Sequence, residues 1–275
     1  MKFDMGRAWS DAMAMLSNNS RLIVILAGVF LFLPSLVLGV FAPSTELEAA
    51  AAGSQEQMQA AMAAFASANW PIILFYALVS TVGTLAVLAL LGREQKPTVG
   101  EAIKIGAIAL VPYLAASLLM GAGIGLVGGL VVGIGAAISP AVAAILGFLV
   151  LVGIVFVIFR LVLVGPVMAI EGTLNPIEAL KRSWTLVKGN TRYVAAFMIL
   201  LIIALLVLTL VVGMVFGVMG ALAPSGTVST WVNAIFEGLI GAVGSTVFLA
   251  VYAAMHRQLA GESPESPESL SQTFD

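Results

Sequence analysis

The chain has no cysteine and a single histidine, so disulfides, thiolate metal sites and cysteine catalysis are excluded and a histidine-based site is not expected. Charge is equally scarce: 9% of the residues are Asp, Glu, Lys or Arg, against about 25% in soluble domains. Basic residues are absent from whole stretches, 43–69, 136–140 and 221–230, the first of which carries Glu46, Glu48 and Glu56. Ten-residue alternation of polar and apolar residues, the mark of a membrane barrel, is missing too.

What fills the sequence is apolar: 61% of its 275 residues are hydrophobic and the mean hydropathy is +1.11. About 20 residues at 1.5 Å per residue span roughly 30 Å of hydrocarbon. Six such runs fall at about 22–42, 70–91, 113–135, 141–164, 193–220 and 231–255. The first begins too far from the N-terminus and runs too long for a cleaved signal peptide, and Pro43 would follow the cut, so it is taken as an anchor. All 12 Lys and Arg lie on one side of this arrangement: Lys2, Arg7 and Arg21, then Arg93, Lys96 and Lys104, then Arg160 to Arg192, then Arg257. The positive-inside rule therefore places both termini in the cytoplasm.

The densest basic stretch is NPIEALKRSWTLVKGNTR, Asn175 to Arg192. Asn175 suits an N-cap, Pro176 the first helical position, Glu178 a capping carboxylate and Gly189 the helix end. Ile177, Leu180, Trp184 and Val187 share one face, with Glu178, Lys181, Arg182, Thr185 and Lys188 opposite. This pattern predicts a helix lying in the membrane interface. Arg160, Lys181, Arg182, Trp184, Lys188 and Arg192 are the candidate headgroup or interface residues.

The same grammar opens two other segments. Asp4 precedes Ala8, Thr98 precedes Ala102 and Asn175 precedes Ala179, always by four residues, and Thr98 and Glu101 make a capping box. The first and third copies continue in register: Asn18-Asn19 answers Gly189-Asn190, and Arg21 answers Arg192. The second departs, with Pro112-Tyr113. The expected fold is an all-α membrane protein of six transmembrane helices in three hairpins, at about 4–91, 98–164 and 175–257. Each hairpin is preceded by a cytoplasmic interfacial amphipathic helix. Residues 1–257 make one membrane domain. The acidic, Ser/Pro-rich residues 258–275 are expected to be a disordered tail, and the loop between the first two spans to hold a short helix on the outer surface.

Within the spans, Gly121, Gly125, Gly129 and Gly133 recur every four residues and are the candidate helix-packing face. GIGLVG, Gly123 to Gly128, matches a dinucleotide fingerprint but has neither the strand nor the soluble crevice that the fingerprint needs. Arg160 ends the fourth span before Gly165-Pro166, where it can snorkel or bond carbonyls freed around the proline. Glu237 is the candidate intramembrane functional residue, since carboxylates in spans often mark ion paths.

Arg160, Gly165-Pro166, Glu171 and EALKRSWTLVKGN resemble the membrane domain fused to some bacterial glycerophosphodiester phosphodiesterases, and related stand-alone six-span proteins of unknown function. The distinctive part covers about residues 160–200. In that pattern an Arg ends span four, an acidic residue follows the proline, and a helix with Ser183, Trp184 and Gly189 precedes span five. The catalytic barrel has no counterpart in the chain. The resemblance implies a non-catalytic module in a bacterial cytoplasmic membrane, contacting lipids, some of them anionic, or holding a membrane protein partner in envelope or lipid homeostasis. No cofactor, metal or nucleic-acid partner is expected. The alternative is a small transporter or channel using Glu237.

Overall fold

The computed structural model describes residues 3–42, 47, 50–93, 95–222 and 226–261. The described regions are helical, and six of the helical segments are long and apolar enough to cross a membrane. Residues 262–275 of the expected tail lie outside the described residues, and residues 258–260 belong to the last helix.

Helix α1 (Met5–Asn18) is capped by Asp4, whose carboxylate accepts from the Arg7 N–H at 2.9 Å, and it buries Ala8, Ala12 and Met15 along one face. Asn19 ends it and begins the next helix. Its amide donates to the Met15 carbonyl at 2.8 Å, and its own carbonyl accepts from the N–H groups of Leu22 and Ile23. The first span consists of α2 (Ser20–Ala27), a π-helical turn (Gly28–Phe32) and α3 (Leu33–Phe41). Pro34 lacks an N–H and crowds the carbonyl four residues back, and the ladder shifts by one residue just before it, with Leu33 bonding the Gly28 carbonyl. The wider turn carries Phe30, which lies directly over Gly83 of the second span.

Helix α4 (Gln55–Gly92) starts at a capping box between Ser54 and Gln57 and runs unbroken through Pro71. At 38 residues it is about 57 Å long. The outer segment expected as a separate surface helix is thus the first half of the second span's own helix. Helix α5 (Val99–Ile138) likewise runs from the Thr98–Glu101 capping box through Pro112 for 40 residues. The separate interfacial helix expected in the second copy does not form. The first and third segments break at Asn19 and at Gly189-Asn190, where Gly189 takes φ +88°, whereas the second has Pro112-Tyr113 at the matching place and continues as helix.

The Ser139 hydroxyl caps α6 (Pro140–Leu161) by accepting from the Val142 N–H at 3.2 Å. The fully buried α7 (Val164–Ala169) leads to α8 (Pro176–Val187), α9 (Thr191–Leu222) and α10 (Thr227–Ala260). Asn175 caps α8 as its sequence predicts, accepting from Ile177 at 3.0 Å and Glu178 at 3.4 Å. Asn190 repeats the role of Asn19: its carbonyl accepts from Tyr193 and Val194, and its side chain takes the Phe3 N–H at 3.0 Å.

Packing does not separate the three units. Helix α4 packs most extensively on α5, which belongs to the next unit, and α3 packs along α10, while α9 touches α10 sparsely. Buried residues gather at the basic end, where Leu85 to Leu91, α7 and Leu249 to Met255 meet α1 and α8. The most apolar segments of the third, fourth and fifth spans are 6%, 0% and 6% buried, so those helices stand uncovered over most of their length. Helix α1 and the end of α10 are joined near the surface, where Asp4 donates its N–H to Gln258 at 3.2 Å.

Candidate functional site at the basic end

Gly172, at φ +75°, turns the chain between α7 and α8, and this turn presents Glu171 to two other elements. Its carboxylate accepts from Arg182 Nε of α8 at 3.0 and 3.1 Å, and from His256 Nε2 of α10 at 2.9 Å. The side chains are 19%, 44% and 1% exposed for Glu171, Arg182 and His256, so the buried member is the imidazole. A carboxylate can only accept, which puts a ring proton on Nε2 and leaves buried Nδ1 without a partner among the described residues. Burial pushes the Glu171 carboxyl upward, but hydrogen bonds from Arg182 and His256, with their charges, outweigh it and hold the group below the usual carboxylate range.

The next residue on α8, Ser183, is fully buried and closes the end of α6. Its hydroxyl donates to the Arg160 carbonyl at 3.1 Å and accepts from the Leu163 N–H at 3.2 Å. A polar side chain so placed satisfies two backbone groups at a helix break. Ser183→Ala should therefore cost about 1–3 kcal/mol, the penalty for buried groups left without partners. Ser183→Thr, which keeps the hydroxyl, should lose less, and chemical unfolding in detergent reads both.

Arg160 does not reach the proline carbonyls expected from the sequence. Its guanidinium donates to the Trp184 carbonyl at 3.0 Å and lies over the Trp184 ring at 4.5 Å and the Phe156 ring at 5.4 Å. The aromatic platform one turn from the α6 end intercepts it. Arg160, Arg182 and Trp184 are thus brought together as fasteners of α8. Lys181 and Lys188 are exposed on the same helix. Arg192 lies apart, stacked at 4.7 Å on Tyr193 and donating to its hydroxyl at 2.9 Å. Glu237 is exposed on α10 and lines neither of the hollows described below.

The glycine face of α5 has no close neighbour among the described residues. A Cβ placed on Gly121, Gly125, Gly129 or Gly133 would meet nothing within 4 Å. The close approach of α5 to α6 uses Gly128, where a Cβ would lie 3.1 Å from Val150, and Gly135, where one would lie 2.9 Å from the Ala143 Cα. At Gly106 the backbone of α5 lies against that of α4, where a Cβ would fall on the Val82 carbonyl oxygen.

Sequence reasoning overlooked a second basic group. Arg93, at the end of α4, donates from Nε to the Ala169 carbonyl at 2.9 Å. With Lys96, Lys104, Gln95 and Glu101 it lines an open cleft of about 710 Å³, whose lining also includes Ile105, Ile108 and Ile170. Gly92, Arg93 and Lys96 also edge a hollow of about 300 Å³ that reaches Asp11 and Arg257, which pair at 2.9 Å. The Glu101 carboxylate accepts from the Thr98 N–H at 2.8 Å and from its hydroxyl at 2.9 Å. Among the described residues, no group of three or more His, Cys, Asp or Glu side chains could hold a metal ion.

Six apolar helices with a packed, polar-studded basic end define a multi-pass, all-helical membrane protein. The chain belongs to the family described as Domain of unknown function (DUF7847), whose model matches residues 3–259. No curated protein matches the chain, and no solved structure does.

Proposed function

We propose that the chain is a non-catalytic membrane module that contacts anionic lipid at its basic end, serving envelope or lipid homeostasis. It resides in a bacterial cytoplasmic membrane with both termini inside, and α1 and α8 lie in the interface as related parts of repeated units. The observation that carries this is the surface of α8. Ala179, Ser183, Leu186 and Val187 are buried in the protein, while Ile177 and Trp184 are exposed beside Lys181 and Lys188. An exposed tryptophan and isoleucine flanked by lysines suit headgroup level, with rings below and ammonium groups at the phosphates. The resemblance to membrane domains fused to phosphodiesterases supports the same reading. Transport through Glu237 is less well supported, since that side chain faces out from α10.

Each lysine near an anionic surface contributes about 1 kcal/mol. Lys181→Gln with Lys188→Gln should weaken the hold of α8 on anionic lipid by roughly thirtyfold, read by native mass spectrometry as fewer anionic lipids bound per protein. Arg182 stays in the variant because it fastens Glu171. Undiminished anionic lipid would leave α8 with a topological role only.

A further inference from the structure

The cleft between the end of α4 and the first turns of α5 holds cations that the fold does not use. Of the basic side chains at this end, Arg160 is spent on Trp184, Arg182 on Glu171, Arg192 on Tyr193 and Arg257 on Asp11. Lys96 and Lys104 have no hydrogen-bond or ion-pair partner among the described residues. Arg93 is anchored through Nε alone to the Ala169 carbonyl, which fixes its guanidinium and leaves the terminal nitrogens available. Glu101, the one carboxylate in the lining among the described residues, is engaged by Thr98 at 2.8 and 2.9 Å. Among the described residues the hollow thus presents three cations against one occupied anion, and its volume of about 710 Å³ is that of a ligand pocket.

The apolar part of the lining decides what kind of anion fits. Ile105 and Ile108, beside Lys104 on α5, and Ile170 supply it, and Ile108 is 52% exposed. A small soluble anion would satisfy the lysines and leave these isoleucines in water. A ligand with a phosphate joined to a glycerol and acyl chains satisfies both the cations and the isoleucines. The cleft also opens where the apolar run of the second span ends at Leu91 and the basic residues begin, which is the level of the phosphates in a bilayer.

We infer that this cleft is a binding site for the phosphate headgroup of an anionic glycerophospholipid, with Lys96, Lys104 and Arg93 on the phosphate and the isoleucines against the glycerol and upper acyl chain. It rests on the lipid-contacting reading above but is separate from α8. Two lysines at about a fivefold factor each predict a roughly thirtyfold weaker site when both are lost.

The test titrates the full-length protein in detergent with phosphatidylglycerol and counts bound lipid by native mass spectrometry. It compares the parent, Lys96→Gln/Lys104→Gln, Lys96→Arg/Lys104→Arg and Lys181→Gln/Lys188→Gln, each checked for an unchanged unfolding midpoint. The inference expects one tight lipid that the cleft Gln pair loses, the Arg pair restores, the α8 pair retains and excess inorganic phosphate does not displace. Retention in the cleft Gln pair overturns it, and so does loss confined to the α8 pair, which leaves the general function standing. Displacement by inorganic phosphate also overturns it, making the cleft a soluble-anion site. A parent that binds no phosphatidylglycerol at all overturns both the inference and the function it rests on.

Discussion

Glu171→Ala should destabilise the purified protein by about 2–3 kcal/mol, the range for losing hydrogen bonds to a charged group where a donor is left buried. The magnitude rests mainly on His256. Its ring is 1% exposed, and without the carboxylate its Nε2–H joins Nδ1 as a second orphan. Arg182, at 44% exposure, finds water and loses little. Glu171→Gln keeps one acceptor oxygen and should fall between parent and alanine variant. Lys181→Ala, an exposed change on the same helix, should stay within about 0.5 kcal/mol. The effect is tied to pH with a definite sign. The carboxyl in the folded protein titrates below its ordinary 4.5, so its contribution is fully present above that value and is lost as pH falls through the folded value. Stability curves of parent and Glu171→Ala should therefore stay parallel above about pH 4.5 and converge below it. Curves that remain parallel into acid would show that the carboxylate's charge is not what holds the loop.

Why this knot escaped the sequence is a matter of distance. A lone histidine gives no spacing from which to infer a site, and its partner lies 85 residues away; only a fold can join them. Glu171 was visible as the acidic residue after Gly165-Pro166, but nothing local tied it to α10. Features written in neighbouring residues were legible: the Asn175 cap, the turn at Gly189, the Thr98–Glu101 box and the six apolar runs all sit where their sequences place them. The face of α8 was partly misread, since polarity separates apolar from charged residues but not protein contact from lipid contact. Ala179 and Ser183 pack because they are small, and Ile177 stays outside although it is apolar. The cleft lysines were obscured for a related reason. Along the sequence they serve as orientation signals like any other basic residue of that side, and only the fold shows which are paired and which converge.

Gly106→Leu should damage the fold more than any change on the regular glycine series, and the comparison with Gly125→Leu isolates why. In a membrane, helices gain little from hiding apolar surface, so association depends on how closely backbones approach. A Cβ on Gly106 would fall on the Val82 carbonyl oxygen and lie 3.1 Å from the Ala86 nitrogen. Both are backbone atoms of α4, which cannot yield by changing a rotamer. Helices α4 and α5 would have to separate where α4 is buried on every side, from Leu85 to Leu91. Forced overpacking of this kind costs about 1–3 kcal/mol even where side chains give way, and with backbone on the far side the loss should lie at or above the top of that range. Gly125 has nothing within 4 Å of its Cβ position, and leucine there adds one more apolar side chain to an exposed face, with stability of the single chain unchanged to within about 0.5 kcal/mol. Gly128→Leu and Gly135→Leu should be intermediate, because Val150 can rotate away from the first while the Ala143 backbone blocks the second. Unfolding midpoints in detergent should rank Gly106 as most damaging, then Gly135, Gly128 and Gly125. Strong destabilisation by Gly125→Leu in a protein shown to be monomeric would overturn this order and return the packing role to the four-residue series.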